Sequence, residues 1–407
     1  MFARRAAWDL RPTDFARHVA ARRAAGLPIL DLSESNPTRC DLARTAALAD
    51  ALAELTRDPA ITHYEPDPRG DLAARTTIAA YHARCGARVA PEQIVLTAGT
   101  SEGYAHLFRL LGDPGDVVHV PAPGYPLFEH LAALEGLRVE RYPLLPPRRG
   151  ARWRVDLDAF AATLGPRSRA LLAIDPHNPT GSFVDPEDWA SLRSIARERG
   201  LAIVSDEVFA DYGEGGASVP GALAGADDGP LHFVLSGASK VLALPQLKVA
   251  WIVVAGPAAA RGVALARLEF IADAFLSVSP ILARALPLLF AERESIQHAV
   301  RARVAANRAR LAELLAGSGA APLPFEAGWS AIVRVAGSRG EEALAMSLLD
   351  RGVLVQPGYI FDLDRRDADG ARCAHLVVSL LLEPEVFARG VALLRDRLAE
   401  PRSADSS

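Results

Sequence analysis

Leu235-Ser-Gly-Ala-Ser-Lys240-Val-Leu-Ala-Leu-Pro-Gln-Leu-Lys248-Val-Ala-Trp251 holds both lysines of a chain of 407 residues. Lys and Arg together number 45, so wherever a bare positive charge is wanted this chain uses arginine. Lysine can do one thing that arginine cannot. Its desolvated amine loses a proton and attacks a carbonyl, whereas a guanidinium stays charged. The residues around Lys240 are small and apolar, a setting that strips water away. Lys240 is therefore read as a Schiff-base lysine that follows a buried strand, Phe233–Ser236.

Similar short apolar runs lie on either side. Gln93–Thr97 precedes a helix from about Ser101, and Val117–Val120 precedes another from about Tyr125. Ala170–Ile174, Ala202–Ser205 and Val249–Val254 are further buried-strand candidates. Strands alternating with helices predict a mostly parallel sheet covered on both faces, an α/β fold. From about Pro257 to Ala316 the pattern is long and helical. It then becomes mixed: strand 331–335, helix 341–351, short strand 353–356, strand 375–381, helix 384–398. This reads as a smaller α+β domain. The boundaries are placed at 46–285 for the large domain and at 1–45 with 286–400 for the small one. Gly213 to Pro230 is a Gly/Ala/Pro-rich loop, and 401–407 reads as a flexible polar tail.

The bulk numbers exclude several classes. A net charge of −4 with arginines scattered among acids predicts no nucleic-acid partner. No apolar run reaches transmembrane length, and the N-terminus lacks a signal-peptide pattern, so no membrane partner is expected. Cys40, Cys85 and Cys373 lack zinc-like or CxxC spacing, which fits a reducing cytoplasm.

In an open α/β sheet, ligands bind beyond the carboxyl ends of the strands. After strand 93–97 comes Ala98-Gly99-Thr100-Ser101-Glu102-Gly103, a small-residue turn opening a helix, whose free N–H groups and dipole suit a phosphate. After 117–120 comes Pro121-Ala-Pro-Gly-Tyr125-Pro, which offers an aromatic face to a flat ring. After 170–174 comes Asp175-Pro-His177-Asn178-Pro179-Thr180-Gly181, with an amide on a rigid turn. After 202–205 comes Asp206-Glu207, and after 233–236 comes Lys240. A phosphate cradle, an aromatic plate, an amide, a carboxylate and a desolvated lysine together describe a pocket for pyridoxal 5′-phosphate, a cofactor held by a lysine and a charged partner at its ring nitrogen. Taken singly, His177, His375 and Trp329 read as packing residues.

With these motifs in place the chain resembles the fold-type-I, class I/II aminotransferases. Asn178-Pro179-Thr180-Gly181, Ser205-Asp206-Glu207 and Ser239-Lys240 stand in that family's order, and Tyr64 with Gly70 and Arg75 resembles its tyrosine-plus-glycine segment. The resemblance runs from about Asp31 to Arg397 and implies a large domain built on a seven-stranded sheet. It implies that Lys240 carries the cofactor and shuttles a proton, that Asp206 pairs with the ring nitrogen, and that Asn178 bonds the ring 3-oxygen. Tyr125 would stack on the ring. Gly99, Thr100 and Ser101 would hold the phosphate through the backbone, with Ser239 and Lys248 adding side chains. Tyr64 would reach the phosphate of a neighbouring subunit, implying a homodimer that takes an amino donor and a 2-oxo acid acceptor.

The departures from the pattern are specific. Lys248 stands where the family usually has arginine, Gly237 where serine is common, and Phe209 where tyrosine is usual, removing one bond to the ring oxygen. Val377, in Leu376-Val377-Val378-Ser379, occupies the place of the arginine that grips the substrate α-carboxylate. Arg334, Arg372 and Arg39 are candidates to replace it. Transamination is the leading reading. β-Elimination or decarboxylation in the same pocket and a non-catalytic sensor are the alternatives.

Overall fold

The computed structural model describes residues 2–43, 45–84, 86–147, 152–216, 223, 229–337, 340–364, 366 and 370–400. The tail 401–407, most of the loop between Gly213 and Pro230, and Cys85 lie outside the described residues.

The predicted buried strands join in one sheet. Its order is Ile94–Thr97, Ala250–Ala255, His232–Gly237, Ala202–Asp206, Ser168–Ile174, Val117–Ala122, Arg138–Leu145 and Arg154–Val155. Pairing is parallel from His232–Gly237 through to Arg138–Leu145. Ala250–Ala255 inserts antiparallel between its neighbours, and Arg154–Val155 closes the far edge antiparallel. The sheet thus has eight strands instead of seven, the extra one being that two-residue edge. Arg138–Leu145 gives no clear strand signal because Arg138, Glu140 and Arg141 face solvent near the sheet edge.

Every residue of Ala202–Asp206, His232–Gly237 and Ala250–Ala255 is buried, as expected for strands covered on both faces. Successive side chains part to opposite sides. Leu235 and Ile252 pack with Leu107, Phe108 and Leu268 under the helices Thr100–Leu111 and Ala258–Asp273. Val234, Trp251 and Val253 pack with Ile78 and Leu286 under Leu72–Arg84 and Pro280–Phe290.

A second, antiparallel sheet follows in the order Ala320–Pro322, Ser330–Ala336, Cys373–Ser379 and Gln356–Pro357, with its own core shared with the helices Arg293–Leu315 and Pro384–Ala399. Leu30–Asp31 pairs parallel with Val353–Leu354, which ties the N-terminal segment to this unit. Among the described residues no helix is long and apolar enough to cross a membrane.

Register sets the site. Ile174, Asp206 and Leu235 stand in one row across three parallel strands, and Thr97, Ala250 and Gly237 stand in another. The turns that follow these strand ends therefore open along one edge of the sheet.

Candidate active site

Gly237 ends its strand in extended backbone and is followed at once by the single helical turn Ala238–Val241. Lys240 rides on that turn, and its main chain is pinned from below. The Tyr212 hydroxyl donates to the Lys240 carbonyl at 2.6 Å, and Gln297 Nε2 donates to the Val241 carbonyl at 3.0 Å and to Asp211 Oδ2 at 2.8 Å. The amine lies over two rings, 4.9 Å from the centroid of Trp329 and 5.4 Å from that of Phe209. Burial in this aromatic box pushes the amine below the usual lysine range, and the Asp206 carboxylate partly restores it. Phe209, in the place of a tyrosine, thus still serves the site as one wall of the box. Trp329 packs as expected, but it also forms the surface under the lysine.

Asp206 is buried at the end of its strand. Oδ2 accepts from the Tyr104 hydroxyl at 2.9 Å, and Oδ1 accepts from the Val208 amide at 3.2 Å. Desolvation pushes its carboxyl up; the Val208 and Tyr104 hydrogen bonds and the nearby Lys240 charge pull it down. The Tyr104 hydroxyl is driven well above the usual tyrosine range by burial and by that carboxylate, so it acts only as a donor.

Gly99 caps the helix Thr100–Leu111 in extended backbone, and a Cβ built on it would lie 3.2 Å from Lys248 Nζ and meet nothing else within 4 Å. The ammonium therefore stands at the amino end of the helix that begins with Thr100 and Ser101, where an anion is favoured. Lys248 reaches it from a left-handed backbone (φ 52°, ψ 47°) at the end of the turn Pro245–Leu247. The absence of serine at 237 has a packing cause. A Cβ there would lie 2.9 Å from Ala250 Cβ and 3.2 Å from its Cα. Ser236, one place earlier, is buried with its hydroxyl unpartnered.

The other predicted residues are partly exposed. Asn178 is partly exposed, and its amide makes no hydrogen bond among the described residues. Tyr125 is 45% exposed and edge-on to Phe128; desolvation pushes its hydroxyl up, and the Asp206 carboxylate adds to this. Ser239 shares the turn of Lys240 and is also partly buried. Tyr64 is not drawn in. It is 74% exposed beside a cavity of about 240 Å³ that Pro66, Asp67, Leu276 and Arg284 also line. Buried Arg75 anchors that segment, donating to Asp67 Oδ2 and the Gly70 carbonyl, both at 2.8 Å.

Val377 is buried in an apolar cluster with Trp153, Ile332, Phe361 and Leu363. Of the three replacement arginines, Arg39 is exposed and pairs with Glu34, Arg372 is exposed ahead of the strand, and Arg334 stands in register with His375, on the same sheet face as Ile332 and Val377. Among the described residues the buried indole N–H of Trp153 has no partner.

Sequence reading alone does not find Tyr104, Tyr212, Gln297 and Trp153. Only Tyr104 carries a local signal, since it sits four residues after Thr100 on the same helix face.

The residues present fit pyridoxal 5′-phosphate. A cationic helix terminus kept open by a glycine, a buried carboxylate and a desolvated amine lie at the spacing set by adjacent strands. Comparison agrees. The profile of the aminotransferase class I and II family matches residues 28–370. The arginine–pyruvate transaminase AruH of Pseudomonas aeruginosa is 33% identical over 369 residues, covering 88% of this chain and 87% of that protein. The S-alkyl-thiohydroximate lyase SUR1 of Arabidopsis thaliana is 31% identical over 241 residues, which is 56% of this chain and 49% of that protein. The chain thus spans about half the length of the lyase, as it does of human tyrosine aminotransferase, at 48%. An alanine aminotransferase from Pyrococcus furiosus shares the fold with a TM-score of 0.85 at 20% identity, covering 98% of this chain and 99% of that one. The chain belongs to the class I and II aminotransferases, a family of enzymes that transfer amino groups with pyridoxal 5′-phosphate.

Proposed function

We propose that this chain moves an amino group from an amino acid or amine donor to a 2-oxo acid, with Lys240 and Asp206 as its catalytic residues. When bound, the cofactor supplies a ring that withdraws electrons from the substrate's Cα. Lys240, set over the Phe209 and Trp329 rings and held below the usual lysine range, would hold the cofactor as a neutral amine and, once displaced by the substrate amine, would move the proton at Cα. Asp206 holds a proton at the ring nitrogen, and Asn178 donates to the ring 3-oxygen. Tyr125 covers the ring face. The N–H groups at Gly99, Thr100 and Ser101 bind the phosphate with Ser239 and Lys248. The observation that carries this reading is the placement of the Lys248 ammonium at the helix terminus, on the same sheet edge as Asp206 and Lys240.

Borohydride reduction of the purified protein is expected to fix the cofactor on Lys240, read by peptide mass. Lys240→Ala should lose both label and turnover. A label on Lys248 would reverse the assignment. Asp206→Asn should keep the fold and lose most activity, because a neutral amide does not hold the pyridinium charge in a dry site.

The Arabidopsis relative is named a lyase, which favours β-elimination as the second reading. Release of ammonia and a 2-oxo acid without any acceptor would select it.

We also assign a homodimer with Tyr64 completing the partner's phosphate site, and exposure of Tyr64 on the single chain supports this. Sedimentation of a fully active monomer would refute it. The free, buried thiol of Cys40 supports a cytoplasmic location. The division into 46–285 and 1–45 with 286–400 is retained as a proposal. Packing of Leu286 and Leu289 in the large-sheet core favours moving its second boundary to Phe290.

The Val377 cluster supports an amine substrate that does not present an ordinary α-carboxylate at that place. Wild-type turnover of alanine, aspartate and glutamate is expected to be poor. Efficient turnover of that set would end the idea.

A further inference from the structure

Tyr104 is 3% exposed, and a buried phenol needs a partner for its hydroxyl. Its partner is the one carboxylate assigned to the cofactor ring, Asp206, at 2.9 Å. The ring is held by Phe128 at 5.1 Å and Phe108 at 5.9 Å, so the hydroxyl has little freedom to turn away. Asp206 has a second fixed contact, from the Val208 amide two residues along its own chain to Oδ1. That local bond holds one carboxylate oxygen, and the Tyr104 hydroxyl holds the other.

We propose that Tyr104 is a positioning residue of this site, whose hydroxyl fixes Asp206 in the orientation that serves the ring nitrogen. It acts from the same helix whose first turn binds the phosphate.

The placement depends on close approach of that helix to the sheet. A Cβ on Gly103 would lie 2.7 Å from Leu235 Cδ2, so glycine lets the first turn lie against the strand leading to Lys240. Thr100 and Tyr104 are one turn apart on one helix, Thr100–Leu111. The anchor for the phosphate and the anchor for the ring nitrogen are thereby parts of one rigid element, and neither shifts without the other. Burial opposes a charged Asp206, while the donated hydrogen bond favours it. Without that donor the carboxylate would be more basic and would hold the ring-nitrogen proton more closely itself, so the protonated Lys240 linkage would titrate at higher pH.

The inference rests on the assignment of Asp206 to the ring nitrogen, and the test separates the two. Holoenzyme is prepared as wild type, Tyr104→Phe, Asp206→Asn and the double variant. Three quantities are read: the pH midpoint of the visible absorption band, the single-turnover bleaching rate with an amino donor, and the melting temperature of the cofactor-free protein. Tyr104→Phe keeps the ring and its packing. It is expected to raise the midpoint by about one pH unit and to slow bleaching about tenfold, with melting nearly unchanged. In the Asp206→Asn background the same substitution should change neither optical quantity further. Wild-type midpoint and rate in Tyr104→Phe would reduce Tyr104 to a packing residue. An undiminished effect in the Asp206→Asn background would mean that it acts through another group. If Asp206→Asn alone leaves midpoint and rate unchanged, the assignment of Asp206 fails, and Tyr104 falls with it.

Discussion

Gly99 and Gly237 border the same site, and alanine is expected to act in opposite ways at the two positions. Both have extended backbones that any residue adopts (φ 168° and −174°), so neither substitution strains the chain. The difference lies in what the new methyl meets. At Gly99 it meets only Lys248 Nζ at 3.2 Å, the tip of a flexible side chain that can yield. The fold then loses nothing, and the stiffer unfolded chain stabilises it by up to about 1 kcal/mol. The yielding ammonium, however, leaves the helix terminus. A charge-assisted contact is worth roughly 1.5–3 kcal/mol, so cofactor affinity should fall about 10- to 100-fold. At Gly237 the methyl meets Ala250 Cβ at 2.9 Å, its Cα at 3.2 Å and the Val249 carbonyl oxygen at 3.4 Å. Those atoms belong to the strand paired with Gly237 in register, which cannot recede without breaking the ladder. Such overpacking costs about 1–3 kcal/mol, a few degrees of melting temperature. Thermal melts of the cofactor-free variants and pyridoxal phosphate titrations distinguish the two outcomes. Wild-type affinity in Gly99→Ala, or a loss of stability there equal to that of Gly237→Ala, would refute the reasoning.

Lys248→Arg keeps the charge but places a planar fork where a compact ammonium lies 3.2 Å from the Cβ position of Gly99, and about tenfold weaker cofactor binding is expected by titration. Burial depresses His82 to about 4 and His177 and His232 to about 3, below the ordinary histidine value of 6.5. Each therefore contributes stability that is present above pH 6.5 and lost as the pH falls towards those values, roughly 2 kcal/mol per histidine by pH 5. Melting of the cofactor-free protein should drop steeply between pH 6.5 and 5, and a flat profile would contradict the burial. Val377→Arg should lower the melting temperature by several degrees without improving turnover of alanine, aspartate or glutamate, because it places a charge among buried apolar side chains. A stable variant that gains those activities would show that the place is open to a carboxylate.

The parts of the site that lie next to one another along the chain are legible in the sequence itself. Apolar runs end in Thr97, Ile174, Asp206 and Gly237, and the parallel topology alone sends the turns after them to one edge. Lys240 stands out by its chemistry in a chain that otherwise uses arginine. Arg138–Leu145 escapes such a reading because its outer face is charged, so it lacks the apolar run of the central strands. Tyr104 can be placed on a helix face, but its bond to Asp206 spans 102 residues, and no periodicity reports a contact of that kind. Trp329 reads as core, and it is core. Its second role depends on the Lys240 amine arriving over its ring from the turn after Gly237.

Val377 marks where sequence and structure contribute different halves of one argument. The sequence offers only the missing arginine, an absence that a neighbouring cation could make good. The fold supplies Trp153, which comes from the segment before Arg154–Val155 and packs beside Val377, Phe361 and Leu363. The arginines flanking that tryptophan are nearest along the chain, and both are committed. Arg152 pairs with Glu326 at 2.9 Å, and Arg154 pairs with Asp188 at 2.7 Å. Turning either one towards Val377 would leave a carboxylate unpaired; for Asp188, which is buried, that cost is large. The valine thus lies among buried apolar neighbours, and both arginines beside Trp153 are paired elsewhere. These pairings support the proposal that the substrate meets apolar contact at this place and not a carboxylate clamp.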